Sequence, residues 1–217
     1  MKTPKKAHGL ALVLLTFILL GGTLTAQELK QIALPAPQTH GGKPLMEALA
    51  LRSTSRSFAS NELPAQTLSN LLWAAWGINR PTEGKRTAPS ASNWQETDIY
   101  VVMSSGAYVY DALTNTLKPV VGGDYRALAG KQPFVKDAPV TLVFVADATR
   151  MKAGEQSESI KWADTAFISE NIYLFAASEG LATGIRANVD RPALAKALLL
   201  KTDQSITMAQ SIGLPKK

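Results

Sequence analysis

The chain has 217 residues, a formal charge of +6, 46% hydrophobic residues and no cysteine. Without cysteine the protein has no disulfide, no thiol nucleophile and no thiolate metal ligand, and its two histidines poorly supply a Ser-His-Asp triad or a histidine-rich metal site. This length suits one domain that buries a hydrophobic core of its own.

Residues 1–26 have the layout of a secretory signal peptide. Three lysines within the first six residues precede an apolar run from Leu10 to Leu20, and small residues follow up to Ala26. The apolar run is shorter than the roughly 20 residues that a membrane-spanning helix needs. We therefore expect cleavage, a periplasmic or secreted mature protein and no stable membrane insertion; a retained N-terminal anchor is the alternative.

Removal of this segment takes away three lysines and no acidic residue, which lowers the formal charge from +6 to +3. The mature chain has no long basic run, so its charge does not indicate a nucleic-acid partner. Residues 27–43 are rich in proline and glycine and lack apolar periodicity, which predicts an extended arm rather than a packed element. The domain itself is expected over residues 44–217.

Two helices are predicted first. One is expected from about Pro44 to Leu51, and the second lies between Pro64 and Gly77, where leucines recur at three- and four-residue spacing between a first-turn proline and a terminal glycine. Residues 79–95 change to Pro, Gly, Lys, Ser and Thr, which predicts a loop.

The rest of the chain mixes strands and helices. Residues 138–147 are a nearly continuous apolar strand, as expected in the middle of a sheet that is covered on both faces. Helices and antiparallel-looking strands without βαβ regularity indicate the α+β class. The other predicted elements are a strand at 99–104, a hairpin at 107–121, a short helix near 125–130, a long helix at about 160–179, a strand or loop at 182–189, a helix at 190–199 and a strand at 205–214.

The segment RSTSRSF, residues 52–58, places two arginines four residues apart with no acidic residue between positions 48 and 61. Surface arginines usually have a carboxylate three or four positions away. A guanidinium presents a fork of donors that fits a phosphate, and the neighbouring hydroxyl groups add further donors. The segment is therefore a candidate anion site, with an ordinary solvated surface pair as the alternative.

Two further segments are candidates. GKRTAPSASNWQ, residues 84–95, combines cations with small residues and with the amides of Asn93 and Gln95, which both donate and accept hydrogen bonds. The long helix carries Asn171 on an otherwise apolar face and is followed by two glycines. Taken alone, the first segment is better explained as a flexible surface loop. For the second, a buried amide at Asn171 that caps a neighbouring loop and a helix stop at the glycines explain the pattern equally well.

Together, the three segments resemble the FMN-dependent nitroreductase family over residues 44–215. RSTSRSF is similar to its Arg-x-Ser/Thr-x-Arg/Lys-x-Phe phosphate motif, APSASNWQ to its Pro-Ser-x-x-Asn-x-Gln flavin loop, and residues 164–184 to its long central helix with closing glycines. LLWAAWGIN and the YVYDALTNTL hairpin are further similar to the SagB-type dehydrogenase branch.

The resemblance implies a nitroreductase-like α+β fold with a mixed, mainly antiparallel sheet flanked by helices in an intertwined homodimer. It implies FMN between the two subunits and hydride transfer from NAD(P)H through the flavin to a nitro, quinone or similar conjugated acceptor. No protein nucleophile and no metal are then required, because the flavin carries the chemistry. By position it assigns four residues to the phosphate and pyrimidine side and three to the isoalloxazine ring: Arg52, Ser53, Thr54 and Arg56, and Pro89, Ser90 and Asn93.

The chain departs from the family pattern in two places. Glu96 and Thr97 follow Gln95 where Gln-Pro-Trp is frequent, and Arg186-Ala187 stands where many members have Glu-Gly. A C-terminal phosphate-binding cation can only be Lys216 or Lys217. Two alternatives therefore stay open, a non-catalytic flavin- or anion-binding module with the same fold and an azoline dehydrogenase that acts on a modified peptide.

Overall fold

The computed structural model describes residues 29–152, 154 and 157–216. The expected signal peptide, residues 1–26, lies outside these residues, as does Lys217. Within the described ranges, none of the helices combines the length and the apolar character needed to cross a bilayer.

The described chain has four α-helices, at the places that the sequence patterns predict. Pro44 and Pro64 directly precede the first two. Gly180 follows the long helix with φ +69, a left-handed conformation that glycine adopts without a Cβ penalty. The helices are α1 (Leu45–Leu51), α2 (Ala65–Trp76), α3 (Ser157–Glu179) and α4 (Arg191–Ala197).

Nine strands accompany the helices in the described residues. Seven form one sheet in the order β1-β6-β5-β4-β7-β9-β8, in which every pairing is antiparallel, and β2 and β3 pair separately. This confirms the predicted α+β class. The strands are β1 (Ile32–Ala33), β2 (Ile78–Arg80), β3 (Lys85–Arg86), β4 (Thr97–Met103), β5 (Gly106–Asp111), β6 (Thr116–Gly122), β7 (Val140–Asp147), β8 (Ala182–Arg186) and β9 (Gln204–Gly213).

Strand β7 lies in the middle of the sheet and is buried on both faces, as its continuous apolar sequence predicts. Leu142 and Phe144 belong to the core cluster that also holds buried residues of α2 and α3. Val143 and Val145 point to the other face, into a cluster with buried residues of α4. The long helix α3 is thus fixed against one face of the sheet, where it reaches both candidate segments.

The arm differs from its prediction. Ile32 and Ala33 pair antiparallel with Leu117 and Thr116 and add an edge strand to the sheet. Leu34 is buried, so the middle of the arm is a packed element. An added edge strand is held mainly by backbone hydrogen bonds, and for that reason its side chains show no periodicity in the sequence.

The predicted loop over residues 79–95 also contains regular structure. Its first part includes the β2–β3 hairpin, and residues 91–93 form a short 3-10 turn. The hairpin pairing is irregular, with Ile78 opposite Arg86 and Arg80 opposite Lys85. A two-residue strand gives no alternation to detect, so composition alone indicated a loop.

Candidate functional site

The arginine segment, residues 52–58, leaves the end of α1 and runs beside β8. The backbone N–H of Ser55 donates to the carbonyl of Thr183 at 2.8 Å. Gly184 lies so close that a Cβ there would be 2.7 Å from the Ser55 carbonyl oxygen. The close approach fixes the backbone of the segment, while the side chains of Arg52 and Arg56 are exposed.

Neither arginine has a carboxylate partner among the described residues. The guanidinium of Arg52 lies over the ring of Tyr173, with its carbon 5.5 Å from the ring centre. Thr54 Oγ1 lies 3.0 Å from the hydroxyl of the same tyrosine. Arg56 instead lines a cavity of 700 Å³. Arg52 is therefore held against the ring, and neither cation is neutralised by a carboxylate of the described residues.

That cavity is predominantly cationic. Arg126 is already paired, because its Nη2 lies 2.6 Å from Oδ2 of Asp124. The other three cations have no such ion pair among the described residues, so the cavity favours an anion. One of these three cations is Lys216, which the sequence offers as a C-terminal phosphate-binding residue. The charged lining residues are Arg56, Arg126, Lys136, Lys216, Glu62 and Asp137.

The Pro-Ser loop, residues 89–95, has an unusual backbone. Ser92, Asn93 and Gln95 have φ values of 50, 55 and 49. A left-handed conformation at a residue other than glycine costs of order 1 kcal/mol or more and persists only where the surroundings impose it. Three such residues in one short loop indicate that its shape is fixed by its anchors.

Two buried acidic side chains provide these anchors. Asp164 Oδ2 accepts from the backbone N–H of Ala91 at 2.9 Å. Ser90 Oγ donates to Glu96 Oε2 at 3.3 Å and accepts from the N–H of Gln95 at 2.8 Å. Glu96 is fully buried, and this burial, followed by the negative charge of Asp164, raises the pKa of Glu96.

A second cavity, of 270 Å³, lies at the Pro-Ser loop. Arg86 Nε donates to Gln95 Oε1 at 2.7 Å, and its guanidinium carbon lies 4.7 Å from the centre of the Trp76 ring. Burial lowers the pKa of Arg86. Lys85 pairs with Glu83 at 2.6 Å. The lining brings the three predicted ring-binding residues together with cations: Arg80, Lys85, Arg86, Ala88, Pro89, Ser90, Asn93 and Gln95.

The structure keeps the two predicted sets apart, and of the phosphate set only Arg56 lines a cavity, while Arg52 and Thr54 contact Tyr173. The 700 Å³ cavity contains no residue of the Pro-Ser loop, and the 270 Å³ cavity contains none of the arginine segment. The sets contact α3 through Asp164 and Tyr173, which are nine residues apart. Nine residues are about two and a half helical turns, so the two side chains leave α3 on opposite sides.

Arg186, one of the two departures from the family pattern, points into the core. It is 7% exposed, and its guanidinium donates to the carbonyl of Ala129 at 2.7 Å and to Ser211 Oγ at 2.9 Å. Burial lowers its pKa to about 10. Arg186 lines neither of the two cavities, so its place in the fold is structural.

Sequence reasoning missed four residues that shape the site: Tyr173, Lys136, Arg126 and Glu96. Tyr173 lies in a helix whose apolar residues are not confined to one face, so its hydroxyl gave no signal. Of these four residues only Glu96 stands out in the sequence, because it is a charged residue directly before an apolar strand.

No group of three His, Cys, Asp or Glu side chains in the described ranges is arranged to hold a metal ion.

Comparison with known proteins agrees with this architecture. The model of the Nitroreductase family matches residues 49–214. A crystal structure of a candidate nitroreductase from Ralstonia eutropha is 38% identical, with a TM-score of 0.84 over 89% of this chain and 92% of that chain. A candidate nitroreductase from Methanocaldococcus jannaschii is 29% identical over 151 residues, 64% of this chain and 76% of that protein.

A third relative shows the fold alone. The crystal structure of a candidate NADH oxidase from Clostridium acetobutylicum is 20% identical, with a TM-score of 0.54 over 80% of this chain and 89% of that chain. The family model spans the whole arginine segment, the Pro-Ser loop and α3, and it ends two residues before Lys216. The chain therefore belongs to the Nitroreductase family.

Proposed function

We propose that the protein is an exported FMN-dependent oxidoreductase that passes hydride from a reduced donor such as NAD(P)H, through the flavin, to a nitro, quinone or similar conjugated acceptor. Members of the Nitroreductase family generally bind flavin. The single observation that carries the FMN assignment is the arginine segment, whose two cations have no carboxylate partner among the described residues.

The donors of the arginine segment fit a phosphate monoester. Arg52 and Arg56 supply guanidinium forks, and Ser53 and Thr54 supply hydroxyl groups. The contact at Gly184 supports this fit, because any side chain there would push the segment away from β8. Lys216 lines the same cavity as Arg56 and adds a further charge to the phosphate site.

The Pro-Ser loop fits the ring end of the cofactor. Pro89, Ser90 and Asn93 line one cavity, so a flat ring would contact the loop backbone and the amide of Asn93. Arg80 and Arg86 lie in the same cavity, and positive charge beside the ring stabilises negative charge that develops there. The anchors at Asp164 and Glu96 fix the loop before binding, which lowers the entropic cost of holding the ring.

Two copies of the chain complete one site in this proposal. Since the phosphate and ring sets lie on opposite sides of α3, one FMN would contact the arginine segment of one subunit and the Pro-Ser loop of the other. Exposed apolar side chains on α1 and α3 support such a dimer, because large apolar patches mark interfaces. These side chains are Leu45, Met46, Leu49, Leu51 and Phe167, which are 61%, 76%, 45%, 50% and 48% exposed.

The bound flavin supplies the capacity to accept and donate a hydride. The residues of the chain bind, orient and shield it: the arginine segment holds the phosphate, and the rigid Pro-Ser loop fixes the ring relative to the substrates. Orienting two reactants in this way removes much of the entropic barrier to their reaction. No side chain of the protein needs to act as a nucleophile.

Export is proposed from the sequence of residues 1–26, whose basic, apolar and small-residue regions follow the order of a signal peptide. Assignment to the SagB-type branch also rests on sequence similarity.

Azoline oxidation is the less favoured activity. A Lys-Tyr pair is associated with azoline oxidation in the SagB-type branch, and this chain has no clear counterpart, Lys161-Trp162 being the nearest candidate. Lys161 is paired with Glu158 at 2.5 Å, and Trp162 is covered by Arg191.

Spectroscopy of the purified full-length gene product tests the proposal. We expect a yellow protein whose visible absorbance is bleached by dithionite, and whose bound FMN is reduced by NADH or NADPH in stopped-flow measurements. A protein that stays colourless and does not quench FMN fluorescence would rule out the flavin assignment. Bound FMN that is reduced by dithionite and by neither nicotinamide would favour the non-catalytic alternative or another electron donor.

A further inference from the structure

Beneath the Pro-Ser loop, two acidic side chains lie in the interior. Glu96, directly before β4, is fully buried, and Asp164 of α3 is 3% exposed. The two carboxyl groups bond adjacent residues of the Pro-Ser loop, Asp164 the N–H of Ala91 and Glu96 the hydroxyl of Ser90, so they lie close to each other. Two carboxylates at such close range repel each other when both are ionised, and burial of Glu96 adds to the cost, so a proton held by Glu96 stabilises the pair.

The hydrogen bonds around the pair indicate where that proton lies. Asp164 Oδ2 accepts from the N–H of Ala91, and Glu96 Oε2 accepts from Ser90 Oγ. Glu96 Oε1 is buried and has no hydrogen-bond donor among the described residues. A buried carboxyl oxygen without a donor is costly as a charged acceptor, and this cost is removed when the oxygen carries a proton.

The charged groups nearby do not neutralise Glu96. Arg150, in the turn after β7, donates to the backbone carbonyl of Glu96 at 2.8 Å and to Asp98 Oδ2 at 2.7 Å. Arg86 of β3 is engaged with Gln95, and Lys161, one turn before Asp164 on α3, is engaged with Glu158. Asp147 of β7 donates its backbone N–H to the Glu96 carbonyl and adds negative charge. None of these cations bonds the carboxyl group of Glu96.

We propose that Glu96 is a positioning residue for FMN: in its protonated form it donates to Asp164, and this hydrogen bond holds the Pro-Ser loop in its left-handed conformation. Ser90 and Ala91 precede the strained residues, and Ser90 Oγ also accepts from the N–H of Gln95 at the other end of the segment. Loss of the Glu96 proton forces the two carboxylates apart and relaxes the loop. The loop's use in binding FMN rests on the proposed function; the proton-dependent contact does not.

The sign of the pH dependence follows from the direction of the pKa shift. Burial and Asp164 raise the pKa of Glu96 in the folded protein. A carboxyl group with a raised pKa stabilises the fold fully below its unfolded-state pKa, and this contribution is lost as the pH rises through the folded-state value. The loop should therefore be ordered at mildly acidic pH and loosen as the pH rises.

Glu96→Gln is the main test variant, because a glutamine amide can donate to Asp164 and accept from Ser90 without titrating. Glu179→Gln is the matched control, since Glu179 is exposed at the end of α3 and lines neither cavity. We expect the dissociation constant for FMN, measured by flavin fluorescence between about pH 5 and pH 9, to rise about tenfold in the native protein and in Glu179→Gln. Glu96→Gln should show a flat profile.

Two measurements on the FMN-free protein separate this inference from the proposed function. Carbon NMR of the glutamate carboxyl groups should show one signal with a raised pKa that is absent in Glu96→Gln. Amide hydrogen exchange at Ala91, corrected for the intrinsic effect of pH, should accelerate through the same pH range. These results would support the inference even if FMN did not bind at any pH.

The inference is overturned if no glutamate signal with a raised pKa disappears in Glu96→Gln, or if protection of the Ala91 amide is independent of pH. An identical pH profile for FMN binding in the native protein and in Glu96→Gln would also overturn it, while leaving the proposed function intact. Should Glu96→Gln fail to fold, Asp164→Asn provides the second variant. Removal of the neighbouring charge should then lower the pKa of the Glu96 signal, and an unchanged pKa contradicts the proposal.

Discussion

The hydroxyl of Tyr173 lies 3.0 Å from Thr54 Oγ1 and accepts from the backbone N–H of Ile185 at 3.1 Å. The ring of the same tyrosine lies beneath the guanidinium of Arg52. One side chain of α3 therefore joins the arginine segment to β8. Since the segment has no regular structure of its own, the tyrosine hydroxyl contributes both to stability and to the placement of the proposed phosphate donors.

Tyr173→Phe removes the hydroxyl and keeps the ring. We expect the free energy of unfolding of the FMN-free protein to fall by about 1–2 kcal/mol, because the Ile185 N–H loses its partner. FMN affinity should weaken several-fold through loss of the contact with Thr54. Urea unfolding and fluorescence titration measure the two effects. Tyr108→Phe is the control, since that hydroxyl makes only a 3.4 Å contact with Ser105; equal losses in both variants would contradict the assignment.

Arg52→Ala combined with Arg56→Ala should abolish FMN retention and leave a folded dimer. Each charged hydrogen bond contributes about 1.5–3 kcal/mol, so the double variant should bind FMN at least about 100-fold more weakly. Fluorescence titration gives the affinity, and circular dichroism with sedimentation checks the fold. Lys30→Ala combined with Lys118→Ala removes the same charge elsewhere and should bind normally. Unchanged affinity in the arginine variant would refute the phosphate assignment.

The regular elements could be predicted from the sequence because their signals are local. In α2 the leucine spacing lies between Pro64 and Gly77, and in β7 every residue from Val140 to Ala146 is apolar or buried. The short elements could not be predicted. The two-residue strand β1 and the β2–β3 hairpin depend on backbone pairing with distant or irregular partners, and their side chains carry no period that identifies them.

The candidate site was predictable in its parts and not in its arrangement. An arginine pair without acidic neighbours can be read from residues 52–58, because the missing charges are local in the sequence. The separation of the two sets on opposite sides of α3 depends on how the segments cross that helix. Glu96 and Asp164, which bond adjacent residues of the Pro-Ser loop, are 68 positions apart, and a single sequence contains no signal that they lie close together.

Arg186→Ala should destabilise the fold without affecting the flavin site directly. Its guanidinium satisfies the Ala129 carbonyl and Ser211 Oγ in the interior, so truncation should lower the free energy of unfolding by about 2–3 kcal/mol. Chemical denaturation measures this loss. At a temperature where the variant stays folded, its dissociation constant for FMN should remain within about twofold of the native value. A selective loss of FMN binding, with native stability, would instead place Arg186 at the cofactor.

Dimerisation should depend on the exposed apolar face of α1 and α3. Met46→Glu combined with Leu49→Glu places two charges on that face, and desolvating them in an interface is unfavourable. Sedimentation should show a dimer for the native protein and a monomer for this variant. Since the proposed site takes its phosphate donors and its ring contacts from different subunits, the monomer should also lose FMN binding.

Leu113→Glu combined with Leu199→Glu is the control, because both leucines are exposed elsewhere and the dimer should persist. A monomer that binds FMN with native affinity would show that one chain forms the whole site.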